Sequence, residues 1–133
     1  MIETTPYAEL LRLHFEDDAD GQPIVILPWH NDVMGRPMYL HGGAIAGLLE
    51  FAAFATLIRA TGMAGPQLKP ITVTVDYLLG GKAQDTFAYG KIERLGGNVA
   101  NVEAYAWQTD RATPIASCRI NFLLDRDASS SEA

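Results

Sequence analysis

The stretch from Gly42 to Ile58, Gly-Gly-Ala-Ile-Ala-Gly-Leu-Leu-Glu-Phe-Ala-Ala-Phe-Ala-Thr-Leu-Ile, carries one charged residue, Glu50. Rich in Ala, Leu, Ile and Phe, it is predicted to form a helix that is apolar all round, and such helices lie inside a fold. The rest of the chain must therefore be able to wrap it. Glu50 is predicted to have no solvated face, and an unpaired buried carboxylate must find a partner or take up a proton. A buried, isolated acid close to a glycine-rich helix start is a candidate catalytic group. The run is slightly short for a membrane span and holds its acid near the centre, so a core helix is expected and no membrane partner.

What can do the wrapping follows from the rest of the 133 residues, which suffice for one compact domain with a real core. Thr5-Pro6-Tyr7 sets a capping threonine before a proline at a first helical position, which predicts a short N-terminal helix over residues 5–13. Asp17-Asp18-Ala19-Asp20-Gly21 is turn chemistry, and Ile24 to Leu27 between Pro23 and Pro28 reads as a short strand, so strands flanking the turn would form a hairpin. The apolar helix is expected to stop at Gly62. Ile71–Leu79, Thr86–Leu95, Val99–Thr109 and Ile115–Leu124 are β-branched or aromatic runs separated by glycine- and proline-bearing turns, which predicts an antiparallel meander covered by the Glu50 helix. Residues 1–124 are expected to form the domain and 125–133, with Ser129-Ser130-Ser131, a disordered polar tail.

Several function classes are disfavoured. Sixteen acids against ten bases give a net charge of -6, which argues against nucleic acid or an anionic membrane surface as partner. The single cysteine, Cys118, excludes an internal disulfide and falls on the inward face of its strand. His14, His30 and His41 show no metal-ligand spacing, so neither metal nor cofactor is expected. No charged start followed by an apolar core and a cleavage site is seen, and a cytoplasmic protein is the default expectation. Gly42-Gly43 lacks the spacing and lysine of a phosphate loop.

One long buried helix wrapped by an antiparallel sheet is the hotdog architecture, of α+β class. His41-Gly42-Gly43, followed by small and apolar residues up to Glu50, resembles the signature of PaaI-type acyl-CoA thioesterases, and Asp76-Tyr77-Leu78 resembles the tyrosine-containing third strand of that family. The resemblance spans about Pro28 to Leu124. It implies a hydrolase acting on an acyl-CoA thioester and an obligate homo-oligomer, a dimer or often a tetramer, with active sites at the subunit junction. Relatives often place Asn or Gln six residues before the histidine. This chain has Gly35 there, with Asn31 able to substitute if the loop folds back, and Met38 where a glycine is common. After Tyr77-Leu78 relatives often continue with Arg-Pro where this chain has Leu79-Gly80-Gly81-Lys82, a departure that weakens the carry-over of pocket positions on that strand, Thr72 and Thr74 included.

The residues support such chemistry on physical grounds. A helix N-terminus presents unpaired N–H groups and partial positive charge, so the Gly42 and Gly43 amides can polarise a thioester carbonyl and stabilise the oxyanion it becomes. Glu50 would attack that carbonyl or activate water, its basicity raised by apolar surroundings. His41 either orients the loop or takes part in proton transfer. The alternative role for Glu50 is that of a structural ion-pair partner of Arg36 or His41. Phe51, Phe54 and Leu57 read as core, with Phe54 at an edge available to substrate. Coenzyme A carries phosphates, for which Lys82, Arg94 and Arg119 are candidates, Arg94 by its turn the best placed. A non-catalytic hotdog protein binding an acyl or aryl ligand is the alternative reading.

Overall fold

The computed structural model describes residues 5–128. The N-terminal helix α1 (Pro6–Leu11) starts as expected, with Thr5 accepting the Ala8 N–H through its side chain. It ends at Arg12 in the left-handed conformation, φ 61°, earlier than the apolar pattern suggested. Strands β1 (His14–Asp17) and β2 (Pro23–Leu27) form the hairpin about the acidic turn. Helix α2 (Gly42–Thr61) follows, capped by the His41 side chain and closed by Gly62 at φ 68°. Strands β3 (Leu68–Tyr77), β4 (Thr86–Leu95), β5 (Val99–Trp107) and β6 (Ala116–Leu124) complete the chain.

All six strands join one antiparallel sheet in the order β1-β2-β4-β5-β6-β3. The expected meander is thus confined to β4, β5 and β6. Strand β3 pairs with β6 along Leu68↔Leu124 to Tyr77↔Ala116, at the far edge from β1. Its connection to β4 passes the start of α2, where Leu40 donates its N–H to Gly81 O at 2.9 Å. Strand β3 also begins three residues before Ile71, running through Lys69 and Pro70. Proline is tolerated there because β3 is an edge strand and its register shifts beside Pro70.

The sheet wraps α2, burying Leu48, Leu49, Ala53 and Leu57 completely. Each such leucine is worth roughly 1.5–3 kcal/mol relative to an exposed one. Helix α2 is apolar and long enough to cross a membrane by length and composition, but 61% of that window is buried within the fold. Inward residues of β5 and β6 are small or apolar (Ala100, Val102, Ala104, Ala106, Ala116, Cys118, Ile120, Phe122), and Cys118 takes the expected inward place. Gly90 on β4 lets the sheet lie close against α2, since a Cβ there would lie 2.9 Å from Ala52 O and 2.5 Å from Thr56 Oγ1. The outward face carries the stacked pairs Phe87–Trp107 and Tyr89–Tyr105. Asp125 and Arg126, at the start of the segment expected from sequence to be a polar tail, make contacts with the sheet and its turns. Asp125 receives Lys69 Nζ at 2.8 Å, and Arg126 donates to Gly97 O. Ser129 and the residues after it lie outside the described residues.

Candidate active site

The site is built on the first half of α2. Gly43, Ala46, Glu50 and Phe54 recur at helical spacing on one stripe, and this stripe is only partly covered by the single sheet. Glu50 is accordingly half-buried and not enclosed, because the sheet curls round α2 from β2 to β6 and leaves this side open. Among the described residues its carboxylate has neither a hydrogen-bond nor an ion-pair partner. Desolvation raises its pKa above the ordinary 4.5. Arg36 packs over the Tyr39 ring at 5.1 Å, and His41 turns to the helix start, so neither supplies the ion pair considered from sequence.

Phe54, one turn beyond Glu50, packs edge-on against Phe122 with ring centroids 5.1 Å apart. Phe51 stacks on Tyr7 and meets Phe15 edge-on, and Leu57 is fully buried, so both belong to the core.

The helix start is tightly fastened. His41 Nδ1 accepts the Gly43 N–H at 2.9 Å, whereas the Gly42 N–H makes no hydrogen bond to the described residues. The Tyr77 hydroxyl donates to Gly42 O at 2.9 Å, bringing the end of β3 onto the helix. From sequence, Tyr77 had only its place in the strand. The signal was the aromatic hydroxyl itself, but its partner lies 35 residues away.

The loop before the helix folds back in a tight bend. Gly35 donates to Tyr39 O and His41 donates its N–H to Val33 O. Gly35 is the departure that geometry accounts for, since a Cβ there would lie 3.0 Å from His41 Cα. Met38 takes a left-handed conformation, φ 67°. Asn31 opens a short 3-10 turn and is exposed. His14 is exposed on β1 and His30 is buried, its Nε2 2.9 Å from Leu11 O. No group of His, Cys, Asp or Glu among the described residues can hold a metal ion.

The basic candidates do not gather. Lys82 follows Gly81 beside the helix start, while Arg94 stands at the other end of β4, opposite Asn101. Arg119 faces outward, paired with Glu103 and Thr74, on the side of the sheet away from α2. Thr72 and Thr74 alternate with the inward Val73 and Val75 and also face away from Glu50.

An antiparallel sheet wrapped about one long helix, with glycines at the helix start and a lone acid two turns in, defines a hotdog protein. The chain belongs to the thioesterase superfamily, whose family model matches residues 38–115. A solved protein from Chromobacterium violaceum is 32% identical, the match covering 92% of this chain and 85% of that one with a TM-score of 0.75. One from Bacillus halodurans, solved with CoA, is 24% identical over 92% of this chain and 80% of its own, TM-score 0.80. A Ralstonia eutropha protein described as related to phenylacetic acid degradation is 18% identical over 91% and 92%, TM-score 0.75. No curated protein matches the chain.

Proposed function

We propose that this chain hydrolyses the thioester of a small or medium acyl- or aryl-coenzyme A to the free acid and CoA. The observation that carries the proposal is Glu50: a desolvated carboxylate without a partner among the described residues, on the same open stripe of α2 as a glycine helix start. The thioester oxygen is held by the Gly42 amide, which has no partner among the described residues, and by the Gly43 amide once the oxygen replaces His41 Nδ1. These donors tighten as the oxygen gains charge, so they bind the transition state better than the substrate.

Gly42 and Glu50 are eight residues apart, which places their Cα atoms about 12 Å apart along the axis at a rise of 1.5 Å per residue. The Glu50 side chain leans back toward the N-terminus. A water held between carboxylate and carbonyl carbon would bridge what remains, with Glu50 acting as general base in preference to nucleophile. Glu50 takes the water's proton as its oxygen bonds to the carbonyl carbon, and collapse of the tetrahedral adduct breaks the C–S bond to release CoA as thiolate. Phe54, on the same stripe, borders the acyl group. Lys82, beside the helix start, is better placed within the chain than Arg94 or Arg119 to meet a CoA phosphate, and Asn31 lies on the surface of the loop between β2 and α2.

The working form is a homo-oligomer. Edge strand β3 leaves Ile71 61% and Tyr77 54% exposed, with Val73, Leu78 and Leu79 beside them, a row of apolar side chains that a second copy would cover.

The test is thiol release from a panel of short-chain, long-chain and aromatic CoA thioesters by wild type, Glu50→Gln and Glu50→Ala. Turnover that falls at least ~100-fold in a folded Glu50→Gln supports the assignment, in line with typical acid–base contributions. Equal activity in Glu50→Gln removes Glu50 from the mechanism. A folded wild type that binds CoA esters without hydrolysing them would make this a binding protein.

A further inference from the structure

The peptide group joining Gly42 to Gly43 is hydrogen-bonded at both ends. Its oxygen, Gly42 O, accepts the Tyr77 hydroxyl at 2.9 Å, and its N–H, that of Gly43, donates to His41 Nδ1 at 2.9 Å. Oxygen and N–H belong to one planar, resonance-coupled unit. A donor on the oxygen draws electron density from the nitrogen and makes the N–H a stronger donor, and bonds chained this way strengthen one another by roughly 10–30% each. The Tyr77 ring lies against Gly42, where a Cβ would stand in ordinary contact with Tyr77 Oη at 3.4 Å and ring carbons at 3.5 Å.

The next peptide group lacks this arrangement. Gly43 O receives the Tyr7 hydroxyl only at 3.5 Å, and the N–H of that unit, belonging to Ala44, is bound to His41 O.

We propose that Tyr77 is a positioning residue of the thioester site: its hydroxyl polarises the Gly42–Gly43 peptide and strengthens the Gly43 amide as a donor to the reacting carbonyl oxygen. The role in turnover rests on the thioesterase reading above. Tyr77 lies at the end of the edge strand and is half exposed in the single chain, so water competes for its hydroxyl. Covering that edge by a second copy removes the competing water, which links assembly to the strength of the donor.

Tyr77→Phe keeps the ring against Gly42 and removes the hydroxyl. Tyr7→Phe is the matched control. Both are compared with wild type by the backbone amide resonance of Gly43, by kcat and KM for a CoA thioester, by the pH profile of kcat and by melting temperature. Removing one oxyanion donor outright costs ~10²–10³ in kcat, so losing a 10–30% reinforcement lowers kcat roughly two- to eightfold. Expected for Tyr77→Phe are that fall, a KM unchanged within about twofold because the donor tightens mainly in the transition state, an unshifted pH profile and an upfield move of the Gly43 amide proton. Tyr7→Phe should change neither kcat nor the Gly43 resonance.

An unchanged Gly43 resonance in Tyr77→Phe, an unchanged kcat, or an equal fall in Tyr7→Phe overturns the proposal. A shift in KM alone also overturns it. If wild type hydrolyses no thioester, the catalytic reading fails separately, and the Gly43 resonance still decides whether Tyr77 polarises the peptide.

Discussion

Gly90 sets the distance between sheet and helix, and with it the position of the Glu50 stripe. Its reason is space: a Cβ would stand 2.5 Å from Thr56 Oγ1, 2.9 Å from Thr56 Cβ and 2.9 Å from Ala52 O. The last is helix backbone, so Gly90→Ala can be accommodated only if α2 moves off β4 by several tenths of an ångström. Overpacking of this kind costs about 1–3 kcal/mol, from which the reduced entropy of the unfolded chain returns about 0.4–1 kcal/mol. Taken at the middle of both ranges a net loss of about 1.3 kcal/mol remains, and at roughly 3–6 °C per kcal/mol for a domain of this size Tm falls by about 4–8 °C. Thermal unfolding followed by circular dichroism measures it. Thr56→Ala sharpens the test. It removes the atom nearest the added methyl, a buried hydroxyl with no hydrogen-bond partner among the described residues, and should by itself be neutral or stabilising. The double variant should then lose less than the sum of the single changes, though not nothing, because Ala52 O stays in place. A Gly90→Ala protein as stable as wild type would refute the reasoning, since α2 would then not be packed against β4 as described.

Glu50 gives a prediction independent of activity. Desolvation raises its folded pKa above the ordinary 4.5, so the native protein binds more protons than the unfolded chain in the window just above that value. Stability is therefore lost as pH rises through the folded pKa, and Glu50→Gln should melt higher than wild type at pH 7, the gain vanishing as pH falls to about 4, where both forms are uncharged. A gain independent of pH would mean that burial of the charge is not its cause. Cys118 is buried with its thiol pKa pushed up to about 12 by desolvation, so an aromatic disulfide reagent at pH 8 should label it only at the rate of unfolding. Prompt labelling of the native protein would contradict its place in the core. Thr5→Ala removes the side-chain cap of α1 and should cost about 1 kcal/mol, read as a lower denaturant midpoint with an unchanged slope.

Much of the fold is written locally. The apolar run from Gly42 names a buried helix because no face of it suits water, and Gly62 ends it because the left-handed conformation there suits glycine. Alternation in β5 and β6 assigned Cys118, Ile120 and Phe122 to the core for the same reason: period two leaves them one side of the sheet. Asp76-Tyr77-Leu78 and His41-Gly42-Gly43 were visible as residues, and the superfamily match bears out the resemblance they carried.

Other features have no local signal. That β3 pairs with β6 and not with its successor β4 depends on long-range contacts, and the sequence between Leu78 and Asp85 contains nothing that distinguishes a hairpin from a crossing. Pro70 hid the start of β3, because whether a strand can hold a proline depends on its being at an edge. The exposure of Glu50 was set by how far one sheet can curl round a helix, so a residue that had to be buried by composition came out half-buried. The sequence by itself determined a helix with a lone acid, a glycine start behind a histidine, and strands enough to cover it, because those follow from side-chain chemistry and period. Only the tertiary structure decided that the Tyr77 hydroxyl meets Gly42, that Gly35 must leave room for His41, and that Arg94 lies away from the helix start. Those facts depend on distances between residues far apart in the chain, which no local pattern encodes.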